Sequence, residues 1–518
     1  MVKRIFILLL LSVPAFAVFS QPISISAGKM KGIKRGGKEI QHLEGNVQFE
    51  QSGNTVFCDE ADYDVSKEEL TGFGNVRITS TDGVVITGSN LIFNNNTKIA
   101  RVEGGVKLTD KDMTLTTPWI QYHTDSKIGW YGAGGRIVDK EMVLTSGTGS
   151  YDPNQKMLFF RHNVVLTHPD YKLRADTLKY YTPSQTSYFY SYTEIENDSN
   201  TILCNYGVYN AESGKSYFTK NAAILSKENI IRADTLSFDR NTGIGEGFGN
   251  IWVKDTNQKI TIYGQRGYYD KKQKYTRVAG RPLAKKYESN GDSLMLRADT
   301  FIYSQDTVLH IRTLQAFHHV KMWRPDFSGN SDSLAYIVED SMFRLFGHPV
   351  LWNDNTRIHS DTMRILMRNS RISKMETRNN SFVSIQEDEM HFSQISGTDL
   401  DNFFGDDHKL QVVKVNRNGK SVYYAKEKDS VVSSVNVVAC ENMGIYFDSG
   451  KVDNVRFYLK PVGNIYPVDQ IPTDKKILPG FIWDPENRPE ASSFVPGFQI
   501  PPLPSRRSEV ANARKRKS

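Results

Sequence analysis

Residues 72–108 read GFGNVRITSTDGVVITGSNLIFNNNTKIARVEGGVKL. From Val84 to Phe93 the residues alternate in character and are rich in β-branched types, which predicts a strand. Asn94, Asn95, Asn96 and Thr97 follow, a composition suited to a turn. Lys98 to Leu108 then reads as a second strand, and Asp110 to Asp112 as the next reversal. Two reversals in so short a stretch predict an antiparallel meander of long strands, with no helix-periodic segment to interrupt it.

The same unit recurs on both sides. In the pattern Asp/Asn, x, small or apolar, x, Tyr/Phe, the aromatic falls at Tyr63, Phe93, Tyr122, Tyr151, Tyr180, Tyr209 and Phe238, in steps of 29 or 30 residues. Tyr269, Tyr303 and Tyr336 continue the series more loosely, with Ile365 in the same place and Phe403 and Tyr446 as late members. A second landmark, Gly/Asn before an apolar residue, runs out of phase at Asn46, Asn75, Gly105, Asn163, Asn221 and Asn250. Its gaps are single or double periods. Two landmarks keeping one period define a repeat, and a repeat is read before any motif.

Within the repeat, apolar side chains stand two apart after the Asn/Gly landmark: Val47 and Phe49, Val76 and Ile78, Val106 and Leu108, Val164 and Leu166, Ile251 and Val253. Another pair precedes the turns, Leu178 with Tyr180 and Leu236 with Phe238. A spacing of two puts each pair on one face of its strand. Stacked over many units, these residues predict two continuous apolar rows. Such rows suit a packed core and an acyl-chain groove equally, and both readings stay open on the residues alone.

Lys3 and Arg4, followed by the apolar run Ile5 to Phe19 and by Val18 and Ser20 before Gln21, form the pattern of a cleaved secretory signal. The expectation is an exported chain. The formal charge of +7 is concentrated at the ends. The signal holds two of the positive charges, and the stretch from Arg506 carries six basic residues against Glu509. The body is therefore near neutral, and no nucleic-acid partner is implied. Cys58, Cys204 and Cys440 are odd in number, widely spaced and similarly placed in the repeat, which predicts buried strand positions and no disulfide framework.

No nucleophile elbow, zinc-protease motif, phosphate loop or Cys-x-x-Cys occurs, so no catalytic residue, metal or cofactor is expected and the chain does not read as an enzyme. His318 and His319 are adjacent on an expected strand, where neighbours point to opposite faces, so they cannot serve one metal without a bulge. Arg-Ala-Asp-Thr recurs at 174–177, 232–235 and 297–300, in register with the repeat. It is expected to play a structural part, as Arg/Asp pairing between neighbouring strands.

The units Glu44–Phe49 (EGNVQF), Gly72–Ile78 (GFGNVRI) and Leu173–Leu178 (LRADTL) resemble the OstA family over residues 41–382, and more weakly to Tyr446. That family comprises the periplasmic lipopolysaccharide-transport bridge protein and the N-terminal domain of the outer-membrane lipopolysaccharide translocon. The resemblance implies an all-β fold, an extended antiparallel β-jellyroll built from the 29-residue repeats, as one body or as two or three stacked jellyrolls. It implies that the inward rows hold lipid A acyl chains. It also implies that the partners are lipopolysaccharide and other lipopolysaccharide-transport proteins of the inner and outer membranes, in the periplasm or at the outer membrane. The chain departs from the family in exceeding a single jellyroll and in lacking strands for a C-terminal barrel.

The expected organisation is a signal peptide at 1–20, a lead-in at 21–40, jellyroll repeats at 41–382, a divergent β continuation at 383–460, and a Pro-rich, basic and largely disordered tail at 461–518. A structural or adhesive repeat with a closed core and a carbohydrate-active β-helix are the alternative readings.

Overall fold

The computed structural model describes residues 24–51, 53–287, 291–369, 371–406, 409–426, 431–448 and 451–505. The expected signal sequence and the basic residues from Arg506 lie outside them. Apart from three short 3₁₀ helices after residue 472, every helix or strand among the described residues is a strand, and none of the helices is long and apolar enough to cross a membrane. Within two compact units, one ending at Pro183 and the next beginning at Ser184, the described pairings are antiparallel. That corrects the β-helix alternative, which requires parallel strands joined by long crossovers; here short hairpins join neighbours.

Many of the 29-residue repeats make two long strands, as in Glu69–Ser80 with Val85–Asn94 and Ile99–Asp110 with Met113–His123, and in others the long strands are split, as in Thr186–Phe189 with Thr193–Glu196. Every second long strand bends in its middle at two consecutive residues of positive φ. The pairs are Gly45–Asn46, Gly74–Asn75, Gly104–Gly105, His162–Asn163, Lys220–Asn221, Gly249–Asn250, His318–His319, Asn379–Asn380 and Arg417–Asn418. Ladder register shifts at each, for example between Glu44 and Val47 and between Phe248 and Ile251. An extra residue in one strand bends it, and Gly and Asn tolerate the left-handed conformation best. The Asn/Gly landmark is therefore a corner, where the chain passes from one layer to a second layer facing it. The doubled gap between Gly105 and Asn163 contains another corner at Gly134 (φ 85°), where the strand is split into Gly129–Tyr131 and Gly135–Asp139.

Several corners are held by a carboxylate from the segment before. Asp59 accepts from Asn75 Nδ2 at 2.8 Å, Asp234 from Asn250 Nδ2 at 3.0 Å, and Asp361 from Asn380 Nδ2 at 3.1 Å. Asp299 stands 2.7 Å from His319 Nδ1. The aspartates of two Arg-Ala-Asp-Thr motifs, Asp234 and Asp299, thus bond corner residues of the following long strand, which corrects the expected Arg/Asp pairing at those two motifs. His318 and His319 form one such corner, so they are bulged, but they turn to different carboxylates, Asp332 and Asp299. Among the described residues no cluster of three or more candidate ligands could hold a metal.

In the first unit one layer is organised around the row Phe49, Val56, Ile78, Ile86, Leu108, Leu115, Ile137, Leu144, Leu166 and Leu173, each opposite the next. The facing layer carries Leu43, Ala61, Leu91, Val102 and Ile120. The second unit repeats the plan with Ile224, Ile231, Val253, Ile262, Ala284, Leu296 and Met322 in one layer, and Phe218, Leu236, Val278, Phe301, Ala316 and Leu334 in the other. The described residues of 383–460 form further long antiparallel strands with a corner at Arg417–Asn418.

Residues 461–505 do not fit the expectation of a largely disordered tail. Val462–Pro467 is a strand against Val432–Asp448, and Ile471, Leu478 and Phe494 are buried. The composition is Pro-rich because the segment follows a surface and needs few ladder hydrogen bonds. Its anchors are single apolar residues without periodicity.

Candidate functional site

The interior between the layers is the candidate site. Val47, Val76, Val106 and Val164 lie directly after corners and are at most 1% exposed; Phe49, Ile78, Leu108 and Leu166 follow on the same face and are buried too. Leu178 and Tyr180 belong to the opposite layer of the first unit, Leu178 buried and Tyr180 half-buried. In the second unit Ile251 is buried and Val253 half-buried in one layer, with Leu236 buried and Phe238 half-buried in the other. The two kinds of apolar pair read from the sequence are therefore the inner faces of two opposed layers. The space left between them is small. In the first unit an apolar cavity of about 10 Å³ is lined by Leu108, Leu115 and Ile137 from one layer and Ile120, Leu158 and Phe160 from the other. A void of that size holds one water molecule at most.

The aromatic landmark marks the free margin, where strand ends of the two layers meet. Tyr63, Leu70, Phe93, Ala100, Tyr122, Gly129, Tyr151, Leu158 and Tyr180 face one another along it. Across the margin, Tyr151 Oη donates to Asp110 Oδ2 at 2.7 Å, and Lys127 Nζ donates to Asp82 Oδ2 at 3.1 Å. Tyr122 bonds Ser80, and burial pushes its phenol up to about 12. Burial raises Tyr151 as well, assisted by the bonded Asp110 carboxylate, and raises Tyr180, assisted by Asp139. These phenols stay protonated and able to donate at any physiological pH. The residues that close the margin repeat with the unit, and no reading of single strands would have joined them.

Opening of the layers should begin at this margin. Tyr151→Phe removes one donor and strands a carboxylate, a loss of about 1–2 kcal/mol for closure. The variant is expected to brighten an apolar fluorescent dye several-fold relative to the parent chain. Unchanged dye binding would contradict a closing role.

The three cysteines are free and buried, as their strand positions implied. Burial pushes the Cys58 thiol up to about 11 and that of Cys204 up to about 12, so neither is a reactive thiolate.

In the second unit, the outer face of one layer is covered by residues 471–501. Arg357 Nε donates to Asp484 Oδ1 at 2.7 Å, Gln394 Nε2 to the Lys476 carbonyl at 2.9 Å, and Asn330 Nδ2 to that of Asn487 at 2.8 Å. The arginines of two Arg-Ala-Asp-Thr motifs take part. Arg297 Nη2 donates to the Val495 carbonyl at 2.7 Å and Arg232 Nη1 to that of Pro501 at 3.1 Å. Trp483 packs edge-on to Trp352, Phe481 against Phe382, and Phe494 beside Leu283 and Met295. This strap was missed in the sequence. The available signal was consecutive apolar residues where alternation should hold, as in Leu283–Ala284, Leu351–Trp352 and Phe382–Val383, which marks strands covered on both faces.

His359 lies under the strap, stacked on Phe382 and accepting from Arg357 Nη1 at 2.6 Å. Burial, and then the Arg357 charge, lower it from 6.5 to about 4. Below pH 6.5 the unfolded chain therefore takes up this proton while the folded chain resists. Stability should fall as pH drops from about 6.5 to about 4, by at most roughly 3 kcal/mol, less where solvent reaches the ring. Urea unfolding at pH 7 and 4.5 measures the loss, and His359→Gln should remove this share of it. An identical pH slope in the variant would contradict the assignment.

The layers, corners and apolar interior define a repeat-built β-jellyroll. Residues 25–176 match the family model described as OstA-like protein. Among solved structures it is similar to LptH, the LptA homologous periplasmic component of the conserved lipopolysaccharide transport device from Pseudomonas aeruginosa. That likeness is 16% identity over 22% of this chain and 83% of the other, with a TM-score of 0.20. No curated protein matches.

Proposed function

We propose that this chain is a periplasmic lipopolysaccharide-binding bridge, which shields lipid A acyl chains on their way to the outer membrane. The observation that carries the reading is the apolar rows that face each other within each unit, in the first unit behind a margin bridged by Tyr151–Asp110 and Lys127–Asp82. The OstA-like match over residues 25–176 supports it. Each methylene leaving water for such a row gains about 0.8 kcal/mol, set against the side-chain contacts it displaces. The rows are closely similar from unit to unit, so a bound chain can shift along them without a deep trap. Direction would come from energised lipopolysaccharide-transport partners in the membranes. No bond is made or broken in this scheme, so the chain acts as a binding protein and not as an enzyme.

The dense packing of the interior also favours a second reading, a structural repeat with a permanently closed core. Size-exclusion chromatography of the full chain with lipopolysaccharide separates the two. Co-elution that Tyr151→Phe strengthens supports the bridge; absence of co-elution for both chains supports the closed core.

A further inference from the structure

Beside the strap, the outer face of the second unit holds a groove of about 460 Å³ lined by Arg281, Arg297, Asp299, His319, Lys321 and Ser493. Arg297 and Lys321 stand directly opposite each other on neighbouring strands, Ser293–Arg297 and Arg312–Trp323. Like charges in that register destabilise a strand pair. Arg281 adds a third cation from the corner Gly280–Arg281, both at positive φ. The one carboxylate in the lining, Asp299, is engaged by His319 at 2.7 Å. Among the described residues none of the three cations has an ion-pair partner, although ion pairs are frequent elsewhere on this surface. Arg297 spends one nitrogen on the Val495 carbonyl, while its Nε is buried without a partner. Burial and the neighbouring Arg281 both lower the Arg297 guanidinium from its usual value. The fold thus gathers positive charge at one place and leaves it unbalanced.

We infer that this groove binds a phosphate-bearing anion, on the outer face and separate from the apolar interior. Two guanidinium groups and an ammonium suit the several oxygens of a phosphate monoester or diphosphate, through charge-assisted and bidentate hydrogen bonds. Bound there, the anion would offset the Arg297–Lys321 repulsion and brace the strap at Ser493. The site does not depend on the lipid reading, because no residue of the inner rows contributes to it.

The test is calorimetric titration of the full chain with pyrophosphate, and separately with phosphatidic acid vesicles against phosphatidylcholine vesicles. Arg281→Gln/Lys321→Gln removes two cations that do not hold the strap. Arg77→Gln/Lys107→Gln removes two exposed cations of the first unit as a charge-matched control. Saturable binding is expected, about tenfold weaker in the groove variant and within about twofold in the control. The groove variant should melt no lower than the parent, since it loses a repulsion. If it fails to fold, Arg281→Gln alone, an exposed corner substitution, gives the same comparison. Tighter binding of phosphatidic acid vesicles than of pyrophosphate at equal phosphate assigns a lipid headgroup, and the reverse assigns a soluble phosphate ester. No saturable binding of either probe, or equal weakening in groove variant and control, overturns the proposal.

Discussion

Ending the chain after Val468 is expected to leave a protein that binds apolar dye strongly, melts at a lower temperature and aggregates on concentration. The strap packs over Leu283, Met295, Trp352 and Phe382 on the outer face of the second unit. Without it these side chains form a contiguous apolar stripe on a sheet, a recognised route to association. Single anchors should act in proportion. Phe494 is 1% exposed and packs between Leu283 and Met295, so Phe494→Ala should lower stability by about 3 kcal/mol. The exposed neighbour Val495, changed to Ala, should shift it by less than about 0.5 kcal/mol. Urea unfolding followed by tryptophan emission reads both, since Trp352 and Trp483 meet at the strap. Equal effects at the two positions would contradict the packing.

The second large effect concerns the inner rows. Leu108 is 1% exposed and lies opposite Ile86 on one neighbouring strand and Leu115 on the other. A carboxylate there has no partner, so Leu108→Asp should cost about 4 kcal/mol or more, or hold the acid protonated. Lys107 is exposed on the opposite face of the same strand, and Lys107→Asp should be tolerated within about 0.5 kcal/mol. Thermal unfolding of the two variants measures the difference. Equal tolerance would place the wrong face inside.

Much of this architecture is legible in the chain. Val76 and Ile78 declare their face by alternation alone, because a strand has a period of two. Asn75 was visible as a landmark, but its role as a corner was not, since a doubled left-handed conformation is a property of φ and not of residue type. Gly134 escaped because Gly135, not an apolar residue, follows it. The meeting of Tyr151 with Asp110 joins strand ends 41 residues apart, and only the bend at the corners brings them together. The strap was misread because Pro501, Pro502 and Pro504 suggest disorder by composition. Its anchors Ile471, Leu478, Trp483 and Phe494 are scattered singly, and their partners are outward side chains that a two-faced strand reading assigns to water.

The proposed function requires lipid in the space between the layers. Photocrosslinking residues placed one at a time at Ile78, Leu108 and Leu166, and at the outward neighbours Arg77 and Lys107, test it most directly when the chain is illuminated with lipopolysaccharide. Lipopolysaccharide adducts are expected at the three inward positions and none at the outward two. Equal labelling of both sets, or no adduct at any inward position, would contradict it.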